Sequence, residues 1–170
     1  MTEQQPFIVE RTFPDFELRR YPDHVLVQVT VSGDFLRAGN VAFRPLISYI
    51  SGRNAASARI PMTAPVTQEP LGDHTHTVSF VLPAGTDASA VPVPTDSTVT
   101  TTLVPAGFVA ARRFGGGWTE ARFDENGELL MNAVRREGLE PIGNRYFARY
   151  DPPWKPGFLK HNEALVRVAG

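Results

Sequence analysis

The chain has 170 residues, 42% of them hydrophobic, and a formal net charge of -1. That length suits one domain or two small halves sharing a core, and the balanced charge gives the whole molecule no electrostatic reason to hold nucleic acid or an anionic membrane. The absence of cysteine excludes disulfides, thiolate nucleophiles, cysteine–zinc sites, iron–sulfur clusters and thiolate-ligated heme. Met1-Thr2-Glu3-Gln4-Gln5-Pro6-Phe7 has no basic segment leading into an apolar run, so it is no signal peptide. No apolar stretch approaches the roughly 20 residues of a membrane helix. A soluble, cytoplasmic monomer is expected. Arg is common, whereas Lys155 and Lys160 are the only lysines.

Phe16-Glu17-Leu18-Arg19-Arg20-Tyr21 alternates apolar and polar residues and predicts a strand. Pro22-Asp23 gives a turn, and the Val-rich run His24 to Ser32 a second strand. From Asp34 to Ser51 the period changes: Leu36, Phe43, Leu46, Ile47 and Ile50 recur at three- and four-residue spacings. That predicts an amphipathic helix with Asp34 as N-cap and Gly52 as stop. Pro45 inside it should remove a hydrogen bond and kink the second half. Strands are expected at about 59–69 and 75–82.

The second half repeats this order. Strands are expected at 99–104 and 108–114 around a Pro105-Ala106-Gly107 turn, a helix from Trp118 to Glu137 with Gly138 as stop, and strands at 145–150 and 164–168. Pro22, Val25, Gly33 and Phe35 correspond to Pro105, Phe108, Gly116 and Trp118 at one constant offset, which suggests a duplicated β-hairpin–α–β–β unit spanning about 16–83 and 97–169. Pairing two such units buries both sheet faces. The expected fold is α+β: a curved antiparallel sheet or distorted β-barrel with two helices. Pro83, Pro92 and Pro94 mark 83–98 as a mobile linker.

Conventional catalytic constellations are weak. His74-Thr75-His76 would place two imidazoles on one side of a strand, but lacks a third ligand. His24 and His161 read as structural or exposed. Asp124, Glu125 and Glu128 flank Asn126-Gly127 in a polar stretch and read as a solvated helix face rather than an acid–base pair. No serine has a Gly-x-Ser-x-Gly context. Gly115-Gly116-Gly117 meets neither the Walker nor the dinucleotide pattern, and reads as a tight strand-to-helix bend. What remains is apolar: Phe43, Leu46, Ile47, Met62, Tyr150, Trp154 and Phe158, with Arg44 and Lys155 beside them. Core packing accounts for most of these. If some line a groove with the cations at its rim, the site suits a flat apolar ligand with acidic tails.

Several segments in order carry a resemblance: Phe16–Tyr21, Ser48-Tyr49-Ile50-Ser51-Gly52-Arg53-Asn54, Met62-Thr63-Ala64-Pro65-Val66, Val93–Val99, Arg113–Gly116, and Tyr150-Asp151-Pro152-Pro153 with Asn162-Glu163. From about Phe16 to Val168 the chain resembles the SOUL/heme-binding protein family. The resemblance implies a two-repeat antiparallel barrel with two helices, and binding of heme or another tetrapyrrole without an established common enzymatic role. The histidine proposed as iron ligand in some members is replaced here by Arg20. A guanidinium stays protonated and offers no lone pair. The other mode described in the family, an apolar surface on the first helix with basic residues meeting the propionates, maps onto Asn40, Phe43, Leu46 and Ser48 with Lys155. Arg37 and Arg44 stand near enough to replace the cations lost at Asn40 and Ser48.

The expected site is therefore Phe43, Arg44, Leu46, Ile47, Met62 and Lys155. The metal ligand is open, with Met62 an alternative axial thioether. Covering roughly 400 Å² of porphyrin at about 25 cal/mol/Å² contributes on the order of 10 kcal/mol gross, much of it offset by association costs of ~4–15 kcal/mol. A reversible carrier or buffer follows more naturally than a permanently held group. The alternatives are an effector-binding module for other hydrophobic molecules, which would need a buried carboxylate in a pocket, and a weak heme-dependent enzyme or a hydrolase using Glu128.

Overall fold

The computed structural model describes residues 2–170. The chain divides into two compact units: residues up to Gln5 with Asp23–Pro105, and Pro6–Pro22 with Ala106–Gly170.

In chain order the strands are β1 (Glu3–Gln4), β2 (Ile8–Thr12), β3 (Glu17–Tyr21), β4 (His24–Ser32), β5 (Thr63–Ala64), β6 (Val66–Gly72), β7 (Thr75–Val81), β8 (Val99–Val104), β9 (Gly107–Phe114), β10 (Pro141–Arg149) and β11 (Asn162–Val168). The helices are α1 (Phe35–Ile50) and α2 (Glu120–Arg136). The α+β class expected from the sequence holds.

In the first unit the strand order is β6-β7-β4-β8, antiparallel throughout. Short β1 pairs in parallel with β5. Helix α1 starts where expected because the Asp34 side chain accepts the Arg37 N–H at 2.8 Å. Pro45 lies within it without ending it. In its buried stripe Ala42, Leu46 and Tyr49 pack with Val27, Val78 and Phe80 of the sheet, and Phe35 meets the His76 ring edge-on at 5.9 Å. The expected strand 59–69 is shorter: Ile60 and Pro61 are irregular, and Pro65, which has no N–H to donate, separates β5 from β6. The segment 83–98 lies wholly in this unit and is tied down. Tyr49 donates its hydroxyl to the Pro92 carbonyl at 2.6 Å, the Ala55 N–H meets the Val93 carbonyl at 2.8 Å, and Thr95 donates to the Arg53 carbonyl at 3.2 Å.

In the second unit the order is β2-β3-β9-β11-β10, also antiparallel. Helix α2 is capped by Thr119, whose hydroxyl accepts the Arg122 N–H at 3.2 Å. Phe123, Leu130 and Val134 are its buried face, and Phe123 meets Phe147 edge-on at 5.4 Å. Gly116 takes φ of +105° in the bend between β9 and α2, with the Arg122 side chain filling the space a Cβ would need.

The strand partners differ from the duplicated-hairpin expectation. Pro22-Asp23 and Pro105-Ala106 do not close local hairpins. Instead β3 pairs with β9, Arg19 opposite Val109, and β4 pairs with β8, His24 opposite Val104. A turn signal fixes where a strand ends, not which strand it meets. The strand order is open in each unit, so neither sheet closes on itself as a barrel.

Candidate functional site

An open groove of about 610 Å³ runs along α1 in the first unit. Val41, Arg44, Pro45, Ser48 and Tyr49 line one side of it. These positions fall at i, i+3, i+4, i+7 and i+8, one stripe of a helix. Val31 supplies apolar surface above the buried Val29 and Val99, and Arg53 stands just beyond the helix end. The volume lies within the range of small-molecule sites.

Asn54 shapes the end of this groove from beneath. Buried to 4% exposure, its amide donates to the Tyr49 and Ala58 carbonyls at 2.9 and 2.8 Å, and its oxygen accepts the Ala56 and Ala58 N–H groups. The turn that carries Arg53 is thereby fixed. Arg44 and Arg53 are both exposed, and neither guanidinium forms an ion pair among the described residues. The one acid in the lining, Asp96, is occupied by the Thr98 N–H and hydroxyl at 2.9 and 2.7 Å, which lower its pKa.

The expected site residues are distributed differently. Only Arg44 lines this groove. Leu46 is fully buried in the core. Phe43 is 43% exposed on the other flank of α1, with its ring 5.4 Å from Phe80. Ile47 lies on that flank one turn later, and Ile47 and Met62 both lean, half-buried, on the core cluster. Lys155 belongs to the second unit, where its ammonium binds Asp151 at 2.8 Å. The sequence reading missed Arg53 because it lies past the helix stop. The signal available was its place in the Ser48–Asn54 motif.

The groove fits part of a heme and not the whole. Apolar walls and two unpaired guanidiniums suit a porphyrin face and its carboxylates. For the iron, the lining offers Asp96, whose carboxylate is held by the Thr98 N–H and hydroxyl, and the phenol of Tyr49. Its hydroxyl is committed to Pro92, and burial raises its pKa away from the phenolate. Among the described residues no group of three or more His, Asp or Glu side chains could hold a metal ion. His74 sits in the turn before β7 with φ of +56°, so it and buried His76 do not share the strand face expected for a chelating pair. Arg20, at the family's histidine position, pairs with Glu10 at 2.9 Å.

The second unit holds a buried charge cluster. Arg19 on β3 and Glu163 on β11 are 2% and 1% exposed. Two guanidinium nitrogens lie 2.7 Å from the two carboxylate oxygens. Tyr150 donates to Glu163 at 3.1 Å, the His161 ring nitrogen is 2.9 Å from it, and the Tyr150 and His161 rings stack at 4.1 Å. Burial alone would raise the Glu163 pKa. Hydrogen bonds from Arg19 and His161 overcome it and bring the pKa down to about 2. The carboxylate on an apolar face that the sequence did not reveal is therefore present, already neutralised by the chain's own arginine. Glu128 is the opposite case. Its side chain is 62% exposed and its pKa is lowered by Arg145 at 2.6 Å, which eliminates it as a raised-pKa acid in a cleft.

The sequence profile of the SOUL heme-binding protein family matches residues 2–167. The chain belongs to this family. No curated protein shows a significant match. Among solved structures this SOUL-family chain is similar to EcmrR in its cryo-EM complex with DNA, at 12% identity over 89% of this chain and with a TM-score of 0.66. It spans 56% of that EcmrR chain. It is also similar to a hydrolase from Listeria innocua, at 13% identity over 92% of this chain and 94% of the other, with a TM-score of 0.59. SAV2435 bound to tetraphenylphosphonium matches at 9% identity over 92% and 94%, with a TM-score of 0.53. At such identities the likeness shows the fold alone. Among the described residues no helix is long and apolar enough to cross a membrane.

Proposed function

We propose that the groove along α1 binds a tetrapyrrole reversibly, its face against Val31 and Val41 and its carboxylates at Arg44 and Arg53, and that the protein acts as a carrier or buffer. The observation that carries this reading is a pair of unpaired guanidiniums beside an apolar groove of about 610 Å³ in a chain of the SOUL family. Of the residues expected from the sequence, Arg44 keeps its role. Arg53 takes the role expected of Lys155, and Leu46 acts only by packing beneath the helix. Met62 has no part as an axial ligand, and the complex forms without protein ligation of iron.

This assignment favours release. Guanidinium–carboxylate pairs at an exposed rim are screened by salt and contribute modestly. The apolar face supplies most of the affinity and association costs offset much of it.

A site for a lipophilic cation, the kind of ligand bound in the SAV2435 structure, is less well supported. The buried acid such a ligand would seek is Glu163, and Arg19 occupies both of its oxygens.

Titration of the protein with hemin and with metal-free protoporphyrin IX, followed by absorbance and tryptophan quenching, tests the reading. Saturable one-to-one binding of both, with similar affinities, is expected. Binding of hemin alone would place an iron ligand in the protein and overturn the unligated complex. Binding of neither would remove the tetrapyrrole.

A further inference from the structure

Among the described residues the segment Pro152–Lys160 carries the two most exposed large apolar side chains, Trp154 at 82% and Phe158 at 83%, with Leu159 at 54% beside them in sequence. Two aromatic side chains presented to water within one short segment mark a contact site. Nor is the segment loose. The Lys155 N–H bonds to the Pro152 carbonyl at 3.2 Å, and a short 3-10 turn, Gly157–Leu159, is closed by the Leu159 N–H on Pro156 and the Lys160 N–H on Gly157. The Asp151 carboxylate accepts from the His161 N–H and from the Lys155 ammonium. At its base the Gly157 carbonyl accepts the Gly116 N–H at 3.0 Å, and a Cβ on Gly157 would come within 2.9 Å of the Gly117 nitrogen. The backbone is thus seated on the β9–α2 bend with the rings held outward.

We propose that Pro152–Lys160 is a lipid-interface contact, inserting Trp154, Phe158 and Leu159 at the headgroup boundary of an anionic bilayer. Three observations select a bilayer over a protein partner. The residue types fit: tryptophan and phenylalanine settle at the boundary between headgroups and hydrocarbon. The charge fits: both lysines of the chain are here, and apart from Asp151 at the segment's base, which pairs with Lys155, no Asp or Glu occurs up to His161. Their ammoniums are held by residues outside the segment, Lys155 on Asp151 and Lys160 3.8 Å over the Trp118 ring, apart from the exposed aromatic side chains. The area argues the same way. Two aromatic rings and a leucine offer at most about 500 Å², short of the roughly 800 Å² each partner gives to a stable protein interface. The contact is local, so it does not conflict with a net charge of -1 or with the absence, among the described residues, of a membrane-spanning helix.

The test is flotation of the full chain with vesicles of phosphatidylcholine alone and of phosphatidylcholine with one third phosphatidylglycerol. Co-flotation with the mixed vesicles, at least five-fold above phosphatidylcholine alone, is expected. Trp154→Ala with Phe158→Ala should reduce it at least ten-fold with an unchanged circular dichroism spectrum, since both side chains are exposed. Lys155→Gln with Lys160→Gln should remove the preference for anionic lipid while leaving residual binding. Failure of the wild-type chain to float, or equal flotation of the aromatic double variant, overturns the proposal. So does a concentration-dependent dimer abolished by the aromatic substitutions without vesicle binding, which would make the loop a contact between copies.

Discussion

Arg19 and Glu163 meet across β9, two strands apart, in a two-pronged ion pair with both N···O distances at 2.7 Å. The residue of β9 that stands on the same face between them in register, Ala111, is small enough to leave the room. The arginine lies 4.0 Å over the Phe7 ring and also donates to the Tyr21 hydroxyl at 3.0 Å. A buried pair of this kind specifies structure more than it adds stability, and half of it is worse than none. Glu163→Gln should destabilise the protein by about 3–5 kcal/mol, because it strands the buried guanidinium. Arg19→Met with Glu163→Leu should recover most of that loss. Urea unfolding of the two variants checks both statements, and a double variant as unstable as the single one would refute the argument.

The same pair sets an acid limit. The folded pKa of Glu163, about 2, lies below its ordinary 4.5. Between these values the unfolded chain binds more protons than the native one, so stability rises with pH. The contribution is complete above about pH 4.5 and is lost as pH falls through about 2. It amounts to roughly 3 kcal/mol at 1.36 kcal/mol per unit. Denaturant midpoints measured from pH 5 down to 2 should fall steeply for the wild type. They should fall less for the Arg19→Met, Glu163→Leu variant.

Leu46 separates packing from binding. It is fully buried among Val27, Val78 and Phe80, so Leu46→Ala leaves a cavity and should cost about 2–5 kcal/mol. Any loss of tetrapyrrole affinity should then track the unfolded fraction and vanish at low temperature. A variant of native stability with weakened binding would restore Leu46 as a contact.

Lys155 is held by Asp151, whose pKa falls against the opposing effect of burial through the His161 N–H and this ammonium. Lys155→Ala should therefore leave tetrapyrrole affinity within about two-fold of wild type, as read by the same titration.

The helices and most strands were legible because their signals are local. Asp34, Gly52 and the three- and four-residue spacing bound α1, and the valine run of β4 keeps its limits of His24 and Ser32. Strand β2 was not expected, because Ile8–Thr12 is exposed throughout and pairs only at the edge beside β3. Strand partners were not legible either, since both prolyl turns look like hairpin turns while β3 and β4 each pair elsewhere. For the site, composition along α1 gave the correct helix but mixed its faces. Phe43, Arg44, Leu46 and Ile47 are consecutive or nearly so, and at 100° per residue they point to the groove, the core and the opposite flank in turn. The Arg19–Glu163 pair joins positions 144 apart, and nothing in either local segment announces the other.

The central claim is that Arg44 and Arg53 read the carboxylates of a tetrapyrrole in the α1 groove. The direct measurement is a titration with protoporphyrin IX of the wild type, the Arg44→Glu, Arg53→Glu double variant, and Phe43→Ala. The double variant should bind at least ten-fold more weakly at low salt, the gap should narrow as salt is raised, and Phe43→Ala should stay within about three-fold of wild type. Unchanged affinity in the double variant, or loss of binding in Phe43→Ala alone, would contradict the account and move the site to the other flank of the helix.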